Sequence, residues 1–196
     1  MNKKKYYIND EVVNKFFDLL KRRYEKFPHK YLKHHSFDSA TAAWLIDKSK
    51  TEAHVLKGLE KEDLKDVAKL FVPMCLHEHW ILFYADIDAK KLVWLDPLEH
   101  TRVSKLWEKH VIQRLFLEFI LPSLGHDLKD WSFDVPNNIP SQKNSVDCAL
   151  FVMKYADCLT HGNYLPFTQD DMPHFRHRTL LDLYHGSLCL GKGQSY

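Results

Sequence analysis

Residues 69–97 read KLFVPMCLHEHWILFYADIDAKKLVWLDP, and this stretch decides the fold. Three apolar segments rich in β-branched and aromatic residues, 69–75, 80–87 and 92–96, are separated by two short polar segments. This pattern is typical of β-strands joined by tight turns, and Pro97 ends the last strand. Because short connections join antiparallel neighbours, the sequence predicts a three-stranded antiparallel meander.

Apolar residues at helical spacing flank this meander on both sides. Before it, Asn9 or Asp10 can cap a helix that ends before Pro28, and shorter helices are expected over 39–48 and 51–59. After it we expect a helix from Thr101 or Ser104 that Pro122 and Gly125 stop, a strand over 131–135, a loop over 136–146, a buried helix over 148–159 and a last helix from Pro173 to Gly186. This order of elements predicts an α+β fold.

The length and composition of the chain indicate one globular domain over 1–196, since no linker or repeat divides its 196 residues. The 28 basic and 26 acidic residues leave a formal charge of +2, which does not favour nucleic acid as a partner. No apolar run approaches the roughly 20 residues of a membrane span, and no CxxC pair or signal peptide is found. We therefore expect a monomer in the nucleus or cytoplasm, with residues 3–5 either a nuclear signal or a solvated end.

Cys148 lies where the predicted loop becomes the buried helix, with Ser145 or Asp147 available as its cap. The positive end of the helix dipole favours a thiolate at this position. The alternative is a structural cysteine, because free cysteines are among the most buried residues.

His79 and Asp96 are candidates to activate that thiol. If the second turn of the meander is Asp88 and Ala89, the numbers of paired residues sum to 177, so Asp96 opposes Ile81 and His79 is its diagonal neighbour on the same face. Each residue alone could be an ordinary turn residue. Together with Cys148 they form a nucleophile, a general base and a group that orients the base.

Gln142 precedes Cys148 by six residues in the predicted loop. Its amide could join the backbone N–H of Cys148 in donating to a developing oxyanion. A glutamine in a loop is otherwise usually exposed to solvent.

These residues resemble the signature of the ubiquitin-like-protein-specific cysteine proteases, which include the SUMO or sentrin-specific proteases. The resemblance is carried by His79-Trp80, by Asp96-Pro97-Leu98 and by 142–148 (QKNSVDC), in that order. It extends from Tyr7-Ile8-Asn9-Asp10, similar to a family motif that opens a helix, to Asp170-Asp171-Met172-Pro173 and Arg176. The order His, Asp, Cys differs from papain-type sequences, where the cysteine comes first.

The resemblance implies a papain-like α+β fold with a central, mostly antiparallel sheet flanked by helices. It implies cleavage after the C-terminal Gly-Gly of a SUMO-like modifier, without a cofactor, by His79, Asp96 and Cys148 with Gln142 in the oxyanion hole. It also implies that Trp80 covers the Gly-Gly tail and that Tyr7 and Asp10 bind substrate. Trp80 could instead be a core residue.

The sequence departs from the family pattern at three positions. Ala149 follows the candidate nucleophile where the family usually has Gly, Tyr7 stands for Trp, and Pro97 stands for Ser. The methyl group of Ala149 could crowd the oxyanion side, so one alternative is a module that binds a modifier without cleaving it. A second alternative is a metal site formed by Cys75, His77 and His79, which are spaced by two residues.

Overall fold

The structure is a computed structural model that describes residues 7–47, 64, 66–102, 104–162 and 164–188. The helix predicted over 51–59 lies outside these residues. In chain order the main elements are α1 (Asp10–Lys26), β1 (His34–Ser36), α2 (Ser39–Leu45), β2 (Lys69–Leu76), β3 (His79–Asp86), β4 (Lys91–Leu95), α3 (Leu106–Leu115), α4 (Leu121–Ser123), β5 (Ser132–Asp134), α5 (Cys148–Leu159) and α6 (Met172–His185).

The described strands form one mixed sheet in the order β1-β2-β3-β4-β5. The antiparallel meander β2-β3-β4 is confirmed, and the short strands β1 and β5 add parallel to its two edges. Strand β1 was not predicted, because three residues are too few to give an alternating pattern. Pro73 lies beyond the last residue paired with β1, where its missing N–H leaves no ladder bond unmade on that side.

The register of the meander is the one expected from the sequence. Leu82 pairs with Leu95 and Asp86 with Lys91, so the paired numbers sum to 177. The turn is longer than the two residues assumed, since Asp86–Lys91 is the last pair and 87–90 lie between. The face on which His79 and Asp96 meet does not change.

The sheet separates two hydrophobic cores. On one face the even residues of β3 pack with α1, α5 and α6, and on the other face its odd residues pack with α2 and α3. Helix α5 is buried on nearly every side and spans the residues expected, 148–159. The fold is α+β, as predicted.

The helix expected over 39–48 ends at Leu45. The helix expected from Thr101 or Ser104 begins only at Leu106, after a 3-10 turn over Glu99–Thr101. It continues through a π-helical turn, Phe116–Ile120, and ends at Ser123, between Pro122 and Gly125, which were expected to stop it. None of the helices in the described part of the chain combines the length and apolarity needed to cross a membrane.

Candidate active site

The hairpin between β2 and β3 places His79 at the end of the sheet. His77 and Glu78 both have positive φ, 51° and 62°, so they form the tight two-residue turn that matches the twist of paired strands. Leu76 then pairs directly with His79, which becomes the first residue of β3. The ring of His79 therefore lies at the end of the central strand β3.

His79 and Asp96 are in direct contact. The Nε2 atom of His79 lies 2.6 Å from Oδ1 of Asp96, which follows β4 and is completely buried. The diagonal contact expected from the strand register is therefore present. Because Nε2 faces the carboxylate, Nδ1 is the nitrogen left for another partner.

Cys148 approaches His79 from the opposite face of the sheet. It begins α5 and packs with Trp80 in the core that includes the even residues of β3, whereas Asp96 continues the face that carries Leu92 and Trp94. Burial lowers the pKa of His79, but hydrogen bonding with Asp96 and with Cys148 outweighs it and leaves the pKa raised. Because His79 lies at the end of the central strand β3, its imidazole can contact a thiol and a carboxylate that come from different faces of the sheet.

The carboxylate of Asp96 is held at both oxygens. Oδ1 also accepts from the backbone N–H of Leu98 at 2.9 Å, and Oδ2 accepts from Thr101 Oγ1 at 2.7 Å and from Lys105 Nζ at 3.2 Å. Burial alone would raise the pKa of Asp96, but the hydrogen bonds from His79 and Thr101 and the nearby positive charges lower it to about 2. Asp96 is therefore ionised at neutral pH.

Gln142 is buried, not exposed to solvent as loop glutamines usually are. Its backbone N–H donates to the carbonyl of Pro97 at 2.9 Å, which fixes its loop beside the residue that follows Asp96. One side-chain N–H donates to the carbonyl of Asn144 at 2.8 Å. The second N–H stays available, and Oε1 is buried without a protein partner in the described part of the chain.

Asp147 holds the loop before Cys148 in a different way from the one expected. It occupies the N-cap position of α5, but neither its side chain nor that of Ser145 caps the helix. Its carboxylate instead accepts hydrogen bonds from Asn144, Gln169 and Arg176 at 2.6 to 2.8 Å. Burial opposes ionisation, yet these bonds hold the pKa of Asp147 below its ordinary value. They tie the loop before Cys148 to the region around the start of α6.

Arg102 links Asp96 to the loop that contains Gln142, and no sequence pattern identified it. It is buried and donates to the backbone carbonyl of Asp96, to the carbonyl of Asn137 and to Ser141 Oγ, at 2.6 to 2.9 Å. The sequence pattern indicated Thr101 only as a helix start, and it gave no signal for Lys105. No spacing rule identifies such residues, because their partners lie on other elements.

The three predicted substrate-binding residues line one pocket of about 620 Å³. Tyr7 and Asp10 lie at the start of α1, and Trp80 on β3 is also a core residue. The remaining lining residues are Ile8, Asn9, Ser39, Ala40, Ala43, Cys75 and Glu78. Trp80 lies on the sheet face that also carries Cys148, whereas Ser39, Ala40 and Ala43 belong to α2. His79, Asp96, Gln142 and Cys148 are not among the residues that line this pocket.

The metal hypothesis required Cys75, His77 and His79 to share one face of a strand. The tight turn at His77 and Glu78 breaks that periodicity. Within residues 7–47, 64, 66–102, 104–162 and 164–188, no group of three or more His, Cys, Asp or Glu side chains is arranged to hold a metal ion.

Residues 6–189 match the Ulp1 protease family, C-terminal catalytic domain. The chain belongs to the Ulp1 protease family. Its sequence is 31% identical over 186 residues to ubiquitin-like-specific protease 1A of Arabidopsis thaliana, covering 90% of this chain and 36% of that protein. It is 27% identical over 193 residues to sentrin-specific protease 2 of Rattus norvegicus, covering 93% of this chain and 31% of that protein.

The fold is that of solved Ulp1 structures. The C-terminal Ulp1 protease domain in complex with Smt3, the yeast ortholog of SUMO, superimposes with a TM-score of 0.75 at 19% identity, over 93% of this chain and 79% of that one. XopD of Xanthomonas campestris, solved bound to ubiquitin, superimposes with a TM-score of 0.54 at 18% identity, over 97% and 85% of the two chains. The chain spans about a third of the length of the curated Ulp1-family relatives described above.

Proposed function

We propose that this chain is a cysteine protease domain that cleaves after the C-terminal Gly-Gly of a SUMO-like modifier, from a precursor or from a substrate lysine. The observation that carries the proposal is the 2.6 Å contact between His79 Nε2 and the buried Asp96 carboxylate. The thiol of Cys148 lies close enough to the same ring to contribute to the raised pKa of His79. Membership of the Ulp1 protease family supports the class of reaction. The names of the relatives support the class of substrate.

In the proposed reaction Cys148 Sγ, as the thiolate, attacks the carbonyl carbon of the last glycine. The oxyanion that forms is stabilised by the backbone N–H of Cys148 and the free side-chain N–H of Gln142. His79, held as the imidazolium by Asp96, donates its proton to the leaving lysine amine as the C–N bond breaks. A thioester to Cys148 remains.

Hydrolysis of the thioester uses the same groups in reverse roles. His79, now neutral, takes a proton from water, and the oxygen attacks the thioester carbonyl. The C–S bond breaks, the Cys148 thiolate leaves, and the modifier departs with a free glycine carboxylate. Neither step requires a metal or a cofactor.

The pocket lined by Tyr7, Asp10 and Trp80 is where we propose that the modifier tail binds. Glycines have no Cβ, so two of them can lie flat under an aromatic ring beside the nucleophile. Tyr7 is 37% exposed, so part of its ring is free to contact substrate. Asp10 adds an acidic side chain to the lining of the pocket.

Turnover of a panel of fluorogenic modifiers with Gly-Gly tails, including SUMO proteins and ubiquitin, tests this function. Wild type is expected to cleave at least one SUMO-like member, and Cys148→Ser to bind the same modifier without cleaving it, because a hydroxyl is a far weaker nucleophile of similar size. Cys158→Ser is the matched control and should cleave at the wild-type rate. Binding without cleavage by wild type would support the non-catalytic alternative and assign the loss to the oxyanion side, where Ala149 is buried.

A further inference from the structure

Lys105 contacts the Asp96 carboxylate on the side away from His79. Its Nζ lies 3.2 Å from Oδ2 of Asp96, and only 12% of the lysine side chain is exposed. Asp96 therefore faces two cationic groups, the His79 imidazolium at one oxygen and Lys105 at the other.

The backbone of Lys105 indicates that this contact is built into the fold. Lys105 is the residue before α3 and has φ 59° and ψ 37°, the left-handed conformation that favours glycine. For a residue with a Cβ this conformation is strained. The side chain does not cap the helix and extends to Asp96 instead.

We propose that Lys105 is a positioning residue that shares the Asp96 carboxylate with His79 and thereby limits how strongly Asp96 holds the protonated imidazole. The role rests on the proposed function of His79 as acid and then base. Efficient transfer in both directions requires a proton affinity matched to the working pH. Without the charge of Lys105, Asp96 would favour the protonated imidazole more strongly, which disfavours the step in which neutral His79 takes a proton from water.

The electrostatics of the pair agree with this role. The positive charge of Lys105 lowers the pKa of both Asp96 and His79. The other charged or titratable groups that face the pair are Cys148, Lys109, Arg102 and Tyr155. Lys109 and Arg102 are held elsewhere, Lys109 on the carbonyl of Arg102 and over the ring of Trp94, and Arg102 on backbone oxygens and Ser141.

The test measures the pKa of His79 directly, by NMR titration of its ring proton, assigned from its absence in His79→Gln. Lys105→Met and Lys105→Gly each remove the charge, and glycine adopts the observed φ without strain. Both are expected to raise the pKa of His79 by about 0.5 to 1 unit, because a like charge a few ångströms away no longer opposes protonation. Lys105→Arg should titrate as wild type.

Lys91→Met is the matched control, since it removes one exposed lysine from the same strand that Asp96 follows, roughly 16 Å away. It should leave the titration unchanged. In the two variants that remove the charge, the alkaline limb of the pH profile of kcat/KM should move to higher pH by about 0.5 to 1 pH unit. A purely structural role would lower kcat/KM at every pH without moving the limb.

Unchanged titration of His79 in both Lys105→Met and Lys105→Gly would overturn the proposal, whatever happens to activity. Failure of the wild type to cleave any Gly-Gly substrate would overturn the proposed function instead. The NMR titration still decides the role of Lys105 in that case, so the two failures are distinguishable.

Discussion

Asp96 and Asp147 are two buried carboxylates near the candidate nucleophile, and their partners differ in kind. Asp96 bonds to His79, whose ring can gain and lose a proton, whereas in the described part of the chain the Asp147 carboxylate accepts from two amides and the Arg176 guanidinium. Both carboxylates have lowered pKa values and accept hydrogen bonds at both oxygens. The partner, and not the burial, therefore distinguishes the carboxylate that we propose acts in the reaction from the one that holds a loop in place.

The largest effect is expected for Asp96→Asn. The amide keeps the shape but removes the charge that supports the imidazolium, so kcat should fall by about 10⁴ with the fold intact. Loss of that charge also lowers the pKa of His79, so the alkaline limb of kcat/KM should move to lower pH. Circular dichroism and a pH–rate profile check both points, and a wild-type rate would remove Asp96 from the reaction.

Gln142→Ala is expected to lower kcat by about 10² to 10³ with little change in modifier affinity, because the donor acts on charge that develops in the transition state. Affinity is measured separately on the Cys148→Ser background. Gln113→Ala is the matched control, since this glutamine lies on α3 and not on the loop that precedes Cys148. A Gln142→Ala variant that loses affinity but keeps kcat would make Gln142 a substrate-binding residue.

Asp147→Ala should act on stability more than on chemistry. Removing the carboxylate leaves Arg176, Asn144 and Gln169 without their shared acceptor, and we expect the free energy of unfolding to drop by about 2 to 4 kcal/mol. Urea denaturation measures this drop. If kcat/KM of the folded protein fell as far as in Asp96→Asn with stability unchanged, the contrast between the two carboxylates would be wrong.

The smallest effect concerns acid stability. The folded pKa of Asp96 is about 2, below the ordinary 3.8, so its contribution is present above pH 3.8 and is lost as the pH falls toward 2. The lowered pKa of Asp96 accounts for about 2 kcal/mol of the change in unfolding free energy with falling pH. Asp96→Asn should flatten the dependence of unfolding free energy on pH between 4 and 2 by this amount, and an unchanged slope would contradict the lowered pKa.

Much of the fold could be predicted because its signals are local. The assumed position of the turn between β3 and β4 predicted the register that joins His79 to Asp96, and the apolar run after Cys148 predicted the bounds of α5. The support of the site could not be predicted in the same way. Lys105, Arg102 and Arg176 bind partners on other elements. The sequence predicted that Asp147 could cap α5, because its actual partner Gln169 lies 22 residues further along the chain and no local pattern connects the two.

The central claim, that Cys148 is the nucleophile activated by His79 and Asp96, is tested most directly by mapping a covalent adduct. Wild type is incubated with a SUMO-like modifier whose Gly-Gly tail ends in a thiol-reactive group, and the modified residue is located by mass spectrometry. The account predicts one adduct on Cys148, formed much more slowly in Asp96→Asn, with the free thiols of Cys75 and Cys158 unmodified. An adduct on Cys75 or Cys158, or equal labelling rates in wild type and Asp96→Asn, would contradict it.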